Sequence, residues 1–450
     1  MPKHRWLVAW GLGSVSVGAA SLLVPLYVVR LGGDPFELGL LGAVAAFVGA
    51  PGALVWGRLA DRTSNPRGIV LFSLAGVAVL LGAIPLFSSI PVVVLGNALL
   101  WLAFAAAGPV LTLLVVADVP EREWTHEIAL LNKYQGYGWA AGLLLGIAWS
   151  ATAGRVLSPT ATQQSLFVAC AATAIAAAAL LARWMPTPSR HRIARVDPER
   201  VGRLLSVGRR GVRGATVVFT PNRLYWSTRQ FDPARVADRF TPTLAAYFLG
   251  VVLFFTGFSA FFAPLPLYLT DVGFSSDLVY GLYLVSSLGS AAFYTAAGRL
   301  SSRFDLRLLQ TGALGVRAVA MPLVAVVGAV LAAGLAGTLA AVVLFALIGV
   351  TWSVVAVTAG TIVARVAPAD VRGEALGVYA ALSVLAGGIG SVGGGALAAE
   401  FGFVVAFGVA GVVILLGAGV VAALREISAR TATQPATPSQ DPTTDSGSEL

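Results

Sequence analysis

Pro25-Leu26-Tyr27, followed by Gly32, and Pro266-Leu267-Tyr268, followed by Gly273, are one stretch written twice, 241 positions apart. At the same offset Gly57-Arg58-Leu59 with Arg62 returns as Gly298-Arg299-Leu300 with Arg303. Further on the offset grows to 248, carrying Pro120 onto Pro368, Gly142 onto Gly390 and Gly146 onto Gly394. One half of the chain is therefore a diverged copy of the other. The matching residues lie in or beside apolar runs long enough to cross a bilayer, and duplicated membrane bundles place a site between their two halves.

Composition agrees. With 57% hydrophobic and 11% charged residues, the chain has too little polar surface to solvate a soluble fold of 450 residues. The single cysteine, Cys170, lies in an apolar run and can form no internal disulfide. His4, His126 and His191 are scattered outside the apolar runs, so no metal site is expected.

Twelve apolar segments can be drawn, at 6–29, 36–57, 68–88, 91–117, 128–153, 164–184, 243–270, 277–298, 306–330, 336–366, 374–398 and 403–424. The first, about 36 Å of helix, is too long for the core of a cleaved signal peptide and has a partner in the second half, so it reads as a permanent span. If the N-terminus is cytoplasmic, 26 of the 30 cations fall on the inner side, thirteen of them arginines between Arg183 and Arg239. The net charge of +9 therefore marks one face of a membrane rather than a nucleic-acid partner, and both termini are expected in the cytoplasm. The expected organisation is an N-terminal six-helix bundle at 1–184, a basic cytoplasmic linker at 185–242 that can lie against anionic lipid headgroups, a C-terminal six-helix bundle at 243–425 and a disordered tail at 426–450. The fold class is an all-α polytopic membrane protein.

Between the second and third segments stands Gly57-Arg58-Leu59-Ala60-Asp61-Arg62, repeated more weakly as Gly298-Arg299-Leu300-Ser301-Ser302-Arg303 after the eighth. With twelve spans and a long middle loop, this resembles the major facilitator superfamily over about residues 6–424. The resemblance implies a transporter in which two six-helix halves rock about a central cavity. Gly57 permits close helix approach, and Asp61 could sit at the positive end of a helix entering from the cytoplasm, which the resemblance identifies as the eleventh. Arg58 or Arg62 could then pair with Asp118. Such contacts exist only when the cytoplasmic side is closed.

Small residues four apart, Gly138, Gly142 and Gly146 on the fifth segment and Gly390 and Gly394 on the eleventh, let helices touch backbone to backbone. The resemblance sets these two helices at the interface between halves. Neither carries the Gly-Pro pair of many drug/proton antiporters, and the fourth segment offers Asn97 where those proteins have arginine. Gly388-Ile-Gly390-Ser-Val-Gly393 matches a dinucleotide fingerprint only formally, since it follows no strand. No catalytic triad or carboxylate pair lies near the expected cavity, so neither an enzyme nor a cofactor is expected.

By the resemblance, the first, fourth, seventh and tenth helices line the cavity, with the second, fifth, eighth and eleventh beside them. The candidate lining residues are then Asn97 and Trp101; Asn132, Lys133, Tyr134, Gln135 and Tyr137; Tyr280, Tyr283 and Ser287; and Trp352 and Ser353. A charge deep in a bilayer costs several kcal/mol, so Lys133 and Arg317 need a reason. Lys133 either faces the cavity or snorkels toward Glu127; Arg317, on the peripheral ninth helix, is assigned a structural hydrogen-bonding role. No carboxylate lies comparably deep.

The reading is a monomeric multi-pass transporter of the plasma membrane, with a small-molecule substrate, with or without a coupling ion, and membrane lipids as its partners. Its rival is a non-transporting sensor or scaffold on the same fold. Asp61→Asn is expected to impair transport while leaving abundance nearly unchanged, and Ser302→Ala to matter far less. Equal defects in both, measured by uptake into membrane vesicles, would refute the unequal roles assigned to the two motif copies.

Overall fold

The structure is a computed structural model that describes residues 5–62, 66–116, 119–120, 123–185, 241–368 and 372–424. Its first half contains α1 (Arg5–Arg30), α2 (Pro35–Arg62), α3 (Pro66–Ala83), α4 (Ile90–Ala105), α5 (Ala107–Val116), α6 (Trp124–Ala153) and α7 (Pro159–Trp184). The second contains α8 (Pro242–Phe262), α9 (Leu265–Asp271), α10 (Ser276–Arg303), α11 (Leu306–Leu331), α12 (Leu335–Val366), α13 (Arg372–Phe401) and α14 (Phe403–Ala423). Residues 186–240 of the expected linker, and the expected tail, lie outside the described residues, while Pro242 already belongs to α8.

Among the described residues these helices make twelve rods, because the fourth and seventh are each built from two pieces, and ten of the twelve are both long and apolar enough to cross a membrane. Pro109 has no N–H to donate to the carbonyl of Ala105, and the chain turns at Ala106 between α4 and α5. Pro264 and Pro266 remove two donors within one turn in the same way and separate α8 from α9. The motif read as a loop after the second apolar segment is helical instead. Leu59, Ala60 and Arg62 are good helix formers, so α2 continues to Arg62, as α10 continues to Arg303.

The duplication is visible in the packing. α1 rests on α6 and α7, as α8 rests on α13 and α14; α2 pairs with α4 as α10 pairs with α12. The repeated Pro-Leu-Tyr does the same work twice. Tyr27 donates its hydroxyl to the carbonyl of Phe87 at 3.1 Å, beyond the end of α3, while Tyr268 donates to Ala325 of α11 at 2.6 Å. The repeated glycines follow suit: Gly32 and Gly273 take φ of 86° and 96°, which an L side chain would resist. Each ends its helix with the next amide donating five residues back, Gly33 to Val28 and Phe274 to Leu269, both at 2.9 Å.

We call the side bearing the α1 start and the α7–α8 connection the terminal face, and the opposite side the distal face. On the terminal face Asp305 caps α11 by accepting from the Arg307 amide at 2.8 Å, and its carboxylate pairs with the Arg307 guanidinium at 3.0 Å. That guanidinium also donates to the carbonyl of Leu424, tying the end of α14 to the start of α11. The hydrogen bond from Arg307 holds the Asp305 carboxyl below its ordinary pKa. Its stabilisation is therefore complete above the unfolded-state value of about 4 and is lost as pH falls through the lowered one. Asp305→Asn keeps a competent cap, so it is expected to cost only about 0.5–1 kcal/mol at neutral pH. Thermal unfolding in detergent should show that difference shrinking below about pH 4; a pH-independent deficit would assign the loss to the cap alone.

Candidate functional site

The site is framed by two seams where backbones touch. A methyl group at Gly138 would strike the carbonyl of Gly11, and one at Gly142 the carbonyl of Val15 and the amide of Ala19, all on α1. On the other side, one at Gly390 would strike the Thr256 carbonyl, and one at Gly394 that of Ala260, both on α8. These four glycines thus weld helices within each half, α1 to α6 and α8 to α13.

Gly146 behaves differently. The space its missing side chain leaves is filled by the ring of Tyr280, which crosses from α10 in the other half. Tyr280 is buried, and its hydroxyl reaches the Ala19 carbonyl at 3.5 Å. The second contact between halves joins α2 to α13: Gly39 lies against Ser391 and Gly395, Gly42 against Ser391, and Gly388 against the Phe47 ring. A third brings α1 against α9. All the residues named here belong to the distal portions of their helices, so the halves are closed against each other on the distal face.

At mid-depth each half presents an aromatic wall. Trp101 of α4 meets Trp139 of α6 at 6.2 Å between ring centroids and Phe104 at 6.3 Å; Phe104 stacks on Trp10 of α1 at 5.6 Å. Because α7 covers α1 from behind, a bridge from α4 to α6 passes on the side turned toward the other half. The second wall is built likewise. Phe255 of α8 touches Trp352 of α12 at 6.2 Å and Tyr379 of α13 at 6.3 Å, and Phe258 meets Trp352 at 6.2 Å, while α14 backs α8. Trp101, Trp352 and Tyr379 are all half-buried.

The other sequence candidates scatter around these walls. Asn97 is buried one turn from Trp101. Ser353 is buried too and spends its hydroxyl on the Val350 carbonyl of its own helix at 2.7 Å. Tyr280 and Tyr283, adjacent on the α10 surface, part company: Tyr280 enters the first half, whereas Tyr283 packs on Phe262 and Phe345 within the second. Ser287, Asn132, Tyr134 and Gln135 are half-buried, and Tyr134 backs onto Gly11. Lys133 is exposed, with its ammonium 5.6 Å from the ring of Tyr137, itself 63% exposed. The exposed stripe of α6 runs on through Ala141, Leu144 and Ala148, beside the closed distal face. The side chains of Gly57 to Arg62, and Asp118 altogether, lie outside the described residues. Composition and spacing did not single out Phe255, Trp139 or Tyr379, since an aromatic in an apolar run carries no sign of which way it faces.

The family profile of the Major Facilitator Superfamily matches residues 7–391. The chain belongs to this superfamily. It is a secondary transporter working by alternating access, and not an enzyme. Its fold is similar to that of a mutant of the nucleoside transporter NupG, at 13% identity and a TM-score of 0.67, covering 94% of this chain and 100% of that one. It is similar also to a bacterial homolog of the human lysosomal transporter Spinster, solved inward-facing and unoccupied, at 14% identity and 0.64, covering 94% and 96%. The human organic anion transporter MFSD10 follows at 16% and 0.55, covering 94% and 100%. No curated protein matches the sequence.

The Tyr280 recess predicts how the distal closure can be broken. Gly146→Val should expel the ring and raise the reactivity of a cysteine at Ser391 toward an aqueous thiol reagent, in a Cys170-free background. Tyr280→Phe loses only one long hydrogen bond and should change little. Unaltered reactivity in Gly146→Val would show that the ring does not hold the halves together.

Proposed function

We propose that this transporter carries a planar, amphipathic small solute held between the two aromatic walls, Trp101 with Trp139 on one side and Phe255, Trp352 and Tyr379 on the other. The supporting observation is the matched construction of the walls: each spans three helices on the face of its half turned toward the other. Aromatic faces stack on flat ligands with little loss of side-chain freedom.

On this reading the terminal face is cytoplasmic, as its cations favour, and the protein sits in the plasma membrane with both termini inside. The closed distal face then makes the arrangement inward-facing. One chain already supplies both walls, which favours a monomer. Asp61, with Arg58, Arg62 and Asp118, would hold the opposite, outward-facing state. This reading turns the exposed stripe of α6 that carries Lys133 toward lipid, the ammonium reaching the headgroup region while its stem stays in hydrocarbon. That stripe continues past Leu144, at the depth where the halves are in contact.

Uptake into proteoliposomes against a panel of labelled aromatic and non-aromatic solutes tests this. Trp352→Ala and Trp101→Ala should each weaken binding of an aromatic solute about tenfold or more, while Lys133→Met should bind as wild type. Transport confined to non-aromatic solutes, or a binding loss in Lys133→Met equal to that of the tryptophan variants, would overturn the assignment.

A further inference from the structure

Arg317 stands on α11, a helix of the outer layer, yet its guanidinium points inward between α8 and α12. Only 2% of the residue is exposed. Its central carbon lies 4.4 Å from the ring centroid of Phe258, 5.6 Å from Trp352 and 5.7 Å from Phe262. One terminal nitrogen donates to the Ile348 carbonyl at 2.7 Å and reaches the Thr351 hydroxyl at 3.4 Å. Nε is buried and finds no acceptor among the described residues. Among the described residues the acids of the second half, Asp271, Asp277, Asp305, Glu374 and Glu400, all lie at or beyond helix ends. A cation is thus fixed directly behind the aromatic wall with its Nε donor unspent and no carboxylate beside it among the described residues.

The rings that stand between it and the chamber also transmit its charge. A cation against one face of Phe258 and Trp352 draws their electron density toward itself, leaving the opposite face a poor seat for a second cation. In a region of low effective dielectric the guanidinium field reaches a solute stacked on Trp352.

We propose that Arg317 makes the chamber selective for aromatic organic anions, such as arene carboxylates or sulfonates, whose negative group sits on the Arg317 side of Trp352. This rests on the chamber reading above and adds the charge of the solute to it. At about 8 Å and an effective dielectric of about 20, the attraction corresponds to roughly thirtyfold in affinity before screening, so about tenfold is expected.

Full-length protein in nanodiscs, with binding to empty nanodiscs subtracted, allows the test with three probes of one shape: 2-naphthoate, 2-naphthamide and N-methylquinolinium. Wild type should bind 2-naphthoate about tenfold more tightly than 2-naphthamide, and N-methylquinolinium most weakly. Arg317→Gln should bind the amide as wild type while losing the preference for the carboxylate, and Arg317→Lys should keep part of it, with charge retained but the planar fork gone. If naphthoate and naphthamide bind wild type equally, or the preference survives in Arg317→Gln, the anion site is overturned while the chamber stands. Should none of the three probes bind, the chamber reading falls and this proposal with it. The wild-type comparison decides the matter even if the Arg317 variants do not fold.

Discussion

Backbone contact without intervening side chains, α6 on α1 at Gly138 and Gly142 and α13 on α8 at Gly390 and Gly394, is the constraint from which the rest of this molecule follows. In hydrocarbon, helices gain nothing from leaving water, so their association depends on close van der Waals packing and interhelical hydrogen bonds. Seams of this kind make each half a body that moves as one. They also set the distance between the helices that carry Trp10 and Trp139 on one side and Phe255 and Tyr379 on the other, so part of each aromatic wall inherits its geometry from glycines.

Much of this was legible from the chain. Twelve apolar stretches became twelve rods, and the doubled Pro-Leu-Tyr and glycine pairs mark tyrosine anchors and left-handed helix ends that recur in both halves. The helices overrun the apolar stretches, because a helix continues into the charged interface as long as its residues favour it, as α2 does through Arg62. The chain-level reading ran out at facing. A span surrounded partly by lipid and partly by protein has no polar side to reveal its orientation, for lipid tails are as apolar as leucine. That is why Gly138 and Gly146, two turns apart, could be assigned the same neighbour when one meets α1 and the other Tyr280. It is also why Lys133 drew more attention in the sequence than the phenylalanines and tryptophans that form the walls.

Arg317 shows how a bilayer tolerates a cation that composition alone would call a liability. Three rings and a backbone carbonyl surround it, supplying quadrupole and dipole in place of a counter-ion. The ninth rod, peripheral in the bundle, thereby acts on the centre through residues belonging to the seventh and tenth.

The 241-residue offset that links the halves carries Gly39 onto Tyr280. Equivalent positions therefore make the two distal contacts from opposite extremes of size: Gly39 lies against Gly395 with nothing between, while Tyr280 drives a whole ring into the recess at Gly146. After duplication the two copies ceased to be spare parts for one another. A protein assembled from two first halves would carry recesses with no ring to enter them, and one assembled from two second halves would carry rings facing Gly394, already occupied by Ala260. Only the mixed pair closes, so the order of the halves is written into their shape as well as into the chain.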